Sequence, residues 1–151
     1  MTVRRIRRPL AAIVLAAAGA SLILAPSANA NAPLRAGAAV DGAPLTAVVL
    51  NGNGKIDASG AAVFVPITLT CSQKTGVDLT VKVAQAVGDS MRTGTTTRKV
   101  ICDGTTQKVR IAVTATERPF APGVAFGVAT GNSCDAVCNS LTDEHRFELA
   151  L

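Results

Sequence analysis

The sequence predicts an all-β fold: a two-sheet antiparallel, immunoglobulin-like sandwich of about seven strands, preceded by an N-terminal signal helix. Three observations carry this. Apolar residues alternate with period two through most of the chain, as they do where strands bury one face. Turn residues recur about every ten positions, the spacing of a sandwich, with a small barrel as the rival. No segment after the first thirty residues shows helical periodicity. A length of 151 residues fits one domain.

Residues 1–30 read as a secretory signal peptide. Arg4, Arg5, Arg7 and Arg8 form a basic head, residues 10–25 an apolar stretch, and Ala28-Asn29-Ala30 a small-residue cleavage site. The apolar stretch has 16 residues, short of the roughly 20 that a retained anchor needs to span a bilayer. Ala30-Asn31-Ala32 offers a second cleavage site, after Ala32. The paired arginines lack the other residues of a twin-arginine signal, so the general secretory route is expected. The product is secreted, either extracellular or held at the cell wall, without stable membrane insertion.

Cleavage changes the charge argument. Four of the fifteen basic residues leave with the signal, so eleven face ten acids in the remainder. Those eleven are scattered, whereas a nucleic-acid footprint clusters Lys and Arg. Nucleic-acid and anionic-membrane partners are therefore not expected.

Residues 31–44, rich in Ala, Gly and Pro, read as a flexible lead-in. Residues 45–151 form the disulfide-braced domain. Strands are expected over residues 45–50, 62–71, 77–85, 96–102, 107–115, 124–130 and 145–151. In the second, Val63, Val65, Ile67, Leu69 and Cys71 face inward, and Pro66 marks an edge or bulge because it cannot donate to a ladder. In the last, Phe147, Leu149 and Leu151 face inward. Residues 51–54 and 59–60 are turn signals. Residues 88–94, 117–123 and 131–143 are expected as loops.

Four cysteines in a secreted chain allow three disulfide connectivities. Cys71 and Cys102 each end a strand on its buried face, while Cys134 and Cys138 share one loop. The economical pairing is Cys71–Cys102 and Cys134–Cys138. A redox pair would have two intervening residues, and no histidine stands in a metal-ligand pattern beside these thiols. Disulfides fit an oxidising compartment.

Asn51-Gly52-Asn53-Gly54-Lys55-Ile56-Asp57 resembles a calcium loop only at first sight. With Gly54 at the sixth position, the first and twelfth fall on Val49 and Gly60, so both anchoring carboxylates are missing. His145, between Glu144 and Arg146, has no nucleophile marked for it to serve; Ser140 is the nearest serine. It reads as a polar residue opening the last strand. No catalytic constellation, metal site or cofactor motif is present, so a non-enzymatic protein is expected. The lack of Tyr and Trp disfavours carbohydrate stacking and leaves four Phe to supply all aromatic contact.

The segment over residues 124–130 is apolar on both faces. Val124, Phe126 and Val128 are expected in the core because they are larger. Ala125, Gly127 and Ala129 then form a flat exposed strip, the candidate binding site for a protein or small apolar ligand. The strip could instead lie under the Cys134–Cys138 loop or at a sheet centre.

Residues 53–151 resemble a group of small, mostly uncharacterised secreted proteins of actinobacteria. The matching features are the Gly54-Lys55-Ile56-Asp57-Ala58-Ser59-Gly60-Ala61 turn, Leu69-Thr70-Cys71 and Val83-Ala84-Gln85. They continue with Val100-Ile101-Cys102-Asp103-Gly104, Phe120-Ala121-Pro122-Gly123-Val124-Ala125 and the late Cys pair. This resemblance implies location and fold rather than activity. The loop from Cys134 to Cys138 is also similar to one in neocarzinostatin-type apoproteins, secreted seven-stranded sandwiches that carry a hydrophobic small molecule in a cleft. Their first bridge closes a short loop, unlike the long one expected here. Three roles follow as expectations: a binding or cell-envelope interaction module, an extracellular carrier of an apolar ligand, or a protease inhibitor presenting the Cys134–Cys138 loop. The oligomeric state is left open by the sequence.

Overall fold

The computed structural model describes residues 41–151. The signal peptide expected over residues 1–30, and residues 31–40 of the lead-in, lie outside them. At the end of the lead-in, Ala43 and Pro44 are buried. The Ser72 hydroxyl donates to the Ala43 carbonyl and the Ser72 amide to that of Pro44, so packing begins two residues before the first strand.

The described residues are all-β apart from one 3-10 turn, Ala58–Gly60. The strands are β1 (Leu45–Leu50), β2 (Gly54–Asp57), β3 (Ala62–Cys71), β4 (Lys74–Val87), β5 (Ser90–Asp103), β6 (Thr106–Thr114), β7 (Gly123–Cys134) and β8 (Cys138–Ala150). Their hydrogen bonding runs in one path, β1-β3-β2-β8-β7-β4-β5, with β6 beside β3. The all-β class expected from the sequence holds, with eight strands where about seven were expected, and β2 is the added one. This segment, expected as a turn, pairs antiparallel with β3 and parallel with β8. It thereby bonds β3, with β1 and β6 beside it, to the path β8-β7-β4-β5. A bridge between Gly94 and Ala115 links β5 to β6.

The core forms where the alternating faces meet. Val63, Val65, Ile67, Leu69 and Cys71 of β3 share one buried cluster with Val77, Leu79, Val81 and Val83 of β4. Phe147 and Leu149 join it, while Leu151 lies beyond β8 and is exposed. Burial at about 25 cal/mol per Å² of apolar surface is the main driving term for such a cluster.

Pro66 sits in mid-strand and not at a sheet edge. Its carbonyl accepts the Asn51 amide. In an extended strand the N–H and C=O of one residue point to the same side. The proline's missing donor therefore faces the break between β1, which pairs with residues 67–71, and β2, which pairs with residues 62–64. No ladder bond is lost there.

Two expected loops are strand. Residues 88–94 contain a two-residue hairpin, with Val87 opposite Ser90. Gly88, at φ 56°, takes the first central position of such a turn, where a primed turn needs positive φ. The inward positions that follow are Arg92, Gly94 and Thr96, so no apolar alternation announces the strand. Residues 131–143 likewise extend β7 and begin β8. Their inward positions include Gly131, Ser133, Asn139 and Asp143, buried but not apolar. Polar contacts tie them in: Thr75 and Ser133 share a hydroxyl contact of 2.9 Å, and Asn139 Nδ2 donates to the Leu45 carbonyl at 2.6 Å, while Asn139 Oδ1 has no hydrogen-bond partner among the described residues. Gln85, also buried, clamps the connection before β7 by donating to the Ala121 carbonyl and accepting the Ala121 amide.

Candidate functional site

Strand β7 carries the candidate site, but on the face opposite to the one expected. Ala125, Gly127 and Ala129 are buried, while Val124 and Phe126 are 46% and 38% exposed. The reason is lack of depth. A Cβ on Gly127 would stand 2.5 Å from Phe147 Cε1 and 3.4 Å from Leu50 Cδ1. A Cβ on Gly131 would stand 2.8 Å from Val48 Cγ2. Strand β1 crosses this face so closely that only small residues fit beneath it. The larger triplet is left outside. Side-chain size alone does not set which face is buried; the close approach of β1 arises from chain-distant contacts.

The outer face is built from four strands in register. Phe126 lies between Ala84 of β4 and Arg146 of β8, and Ala84 lies opposite Thr93 of β5. One row toward the β4–β5 turn, Ala86 lies opposite Met91, which is 60% exposed. The alanines are too short to cover their neighbours. Two shallow hollows result, separated by the Phe126 ring. One, of about 510 Å³, is bounded by Ala86, Met91, Val124, Phe126 and Arg146. The other, of about 200 Å³, is bounded by Lys82, Thr93, Thr95, Phe126 and Val128. Arg146 and Lys82 provide polar margins. Beyond Val128 the same face turns to hydroxyls: Thr80 contacts Thr97 at 2.9 Å and Thr130 contacts Thr142 at 3.0 Å. An apolar area with a polar rim on one flat face is the usual build of a contact surface.

His145 does not open the last strand; it lies in the second half of β8, on the inward face and half-buried. Its Nδ1 is 3.4 Å from Asp143 Oδ2, and the same carboxylate oxygen accepts the Leu50 amide. A hollow of about 450 Å³ beside it is bounded by Gly52, Asn53, Val124 and Glu148. Ser140 projects from the exposed face of β8, opposite to His145, so the nearest serine in the sequence is not presented to the imidazole.

The disulfides join Cys71 to Cys102 and Cys134 to Cys138, the pairing expected from the sequence. The first ties β3 to the end of β5 inside the core. The second joins directly opposed residues at the exposed tip of the β7–β8 hairpin, leaving Asp135, Ala136 and Val137 outside. No helix among the described residues is long and apolar enough to cross a membrane.

No protein-family model and no curated protein matches the chain. Among solved structures, the chain is similar to the sporulation control protein Spo0M from Bacillus subtilis, at 11% identity and a TM-score of 0.33. The match covers 70% of this chain and 48% of that one, so the chain spans about half the length of this structural neighbour.

Proposed function

We propose that the protein is a secreted, non-enzymatic binding module that works at the cell envelope through the outer face of β4, β5, β7 and β8. The observation behind this reading is the contiguous exposure of Met91, Val124 and Phe126 on one sheet face. Water-exposed apolar area of this kind gains free energy on being covered. The basic head and apolar stretch of residues 1–25 support export, and the two disulfides suit an oxidising destination.

The test is sedimentation of the purified secreted protein with isolated envelope material from its own producer. Wild type should pellet in a saturable way, and Phe126→Glu should stay in solution while keeping its unfolding midpoint. Equal pelleting of the two would overturn the reading. The non-enzymatic part is checked with a panel of hydrolase substrates; turnover lost on His145→Ala would contradict it.

A second reading, an extracellular carrier of an apolar small molecule, draws on the hollow of about 510 Å³ beside Phe126, whose size suits a small ligand. Native mass spectrometry of protein taken from culture medium separates the two readings. A reproducible added mass, lost in Phe126→Glu, would favour the carrier.

A further inference from the structure

We propose that a second, separate hollow, on the outer face of β2, β3 and β6, binds a small flat molecule bearing a single carboxylate. The hollow has a volume of about 280 Å³ and is bounded by Lys55, Asp57, Phe64 and Arg110. It exceeds the roughly 150 Å³ that holds a benzene molecule in an engineered cavity.

Local structure fixes each wall. In β2, Gly54 and Ile56 point inward, so Lys55 and Asp57 point out. Lys55 lies directly opposite Phe64 of β3. On the other side of Phe64 is Ala112 of β6, too short to cover the ring. Two residues away, the Arg110 guanidinium carbon lies 5.5 Å from the centre of the Phe64 ring. A cation–π contact at this distance keeps the guanidinium beside the ring, and its N–H donors can still bond a ligand.

The charges at this hollow are unspent. Among the described residues the one ion pair is that of His145 with Asp143, so neither Lys55 nor Arg110 is neutralised by a carboxylate in contact. A planar carboxylate matches the fork of Arg110 in two parallel hydrogen bonds. Lys55 can approach the same group from across the ring. Phe64 then offers apolar surface to the body of the ligand. Asp57 on the rim limits the ligand's charge: one negative charge is tolerated beside it, whereas a doubly charged phosphate would meet repulsion. Basic residues on β6 also discourage edge-to-edge pairing of strands. That role accounts for the charge of Arg110 but not for the grouping of Phe64, Arg110 and Lys55 around one hollow.

The test is an NMR titration of the isotope-labelled, purified protein with benzoate, acetate and benzamide. Benzoate should cause saturable shifts at amides of β2, β3 and β6, at least tenfold tighter than acetate, which lacks the ring, or benzamide, which lacks the charge. Arg110→Gln should weaken benzoate at least tenfold, and Phe64→Leu should abolish the preference for benzoate over acetate. Phe126→Glu should bind benzoate like wild type, which separates this site from the outer face of β7. Absence of saturable shifts, equal affinity for benzoate and acetate in wild type, or an unchanged Arg110→Gln would each overturn the proposal.

Discussion

Asp143 holds the end of β1 by accepting a hydrogen bond from the Leu50 amide at 2.7 Å. With Asn139 donating to the Leu45 carbonyl, two side chains of β8 satisfy one edge of β1 where no backbone ladder reaches it. Asp143→Ala would leave the Leu50 N–H buried and unpaired, at a cost of about 1–3 kcal/mol. Asp143→Asn, which keeps an acceptor oxygen, should lose less. Urea denaturation of both variants checks the order; equal losses would show that the acceptor is not what matters.

Gly127 marks how closely β1 and Phe147 approach β7. Gly127→Ala should destabilise by about 1–3 kcal/mol, the usual range for an overfilled core, and Gly127→Glu should prevent folding. The reading of the small-residue strip as exposed predicts a folded Gly127→Glu protein. Circular dichroism and thermal melting decide between the two outcomes.

The β class was legible because β3 and β4 alternate without exception: Val63 to Cys71 and Val77 to Val83 are buried at every second position. The Cys pairing was legible for the same reason, since Cys71 and Cys102 end strands on their inward faces. What failed to show were the segments whose inward positions are polar or small. Arg92 and Gly94 hide the start of β5, and Asn139 and Asp143 hide the start of β8, because their inward placement is set by elements far away in the chain and not by an apolar pattern. The exposed side of β7 was missed for a related reason. Period two shows that the two faces differ, but which one meets β1 depends on contacts between residues such as Leu50 and Phe147, far apart in sequence. The hollow at Phe64 had a faint signal in the outward Lys55 and Phe64, yet only the pairing of β2 with β3 brings them together.

The two disulfides should differ in weight. The Cys71–Cys102 bridge spans a sequence separation of 31, for which loop closure gives about 3.7 kcal/mol, against about 2 kcal/mol for the short Cys134–Cys138 loop. The double variant C71A/C102A should lower the denaturation midpoint well beyond C134A/C138A. A larger loss from the exposed bridge would contradict this assignment.

Asp103 offers a pH probe of the turn before β6. The Thr105 hydroxyl donates to Asp103 Oδ1 at 2.6 Å and the Thr105 amide at 3.0 Å, and these bonds hold the carboxyl below the ordinary carboxylate range. A carboxyl lowered on folding stabilises the fold above its unfolded value, and that contribution is lost as pH falls through the folded value. Thr105→Ala should therefore raise the Asp103 titration midpoint, read from its carboxyl carbon by NMR. An unchanged midpoint would mean that the hydroxyl bond does not form in solution.

If the outer face of β7 is the contact surface, two charge insertions on that same sheet face should differ in their effect. Phe126 stands in the apolar area, and Ile101 is exposed at the far end of β5. Both Phe126→Glu and Ile101→Glu should fold with wild-type unfolding midpoints. In sedimentation with isolated envelope material, Phe126→Glu should lose at least tenfold in affinity, while Ile101→Glu should bind as wild type does. Equal binding by all three proteins, or equal loss in both variants, would show that the apolar area around Phe126 is not the contact surface.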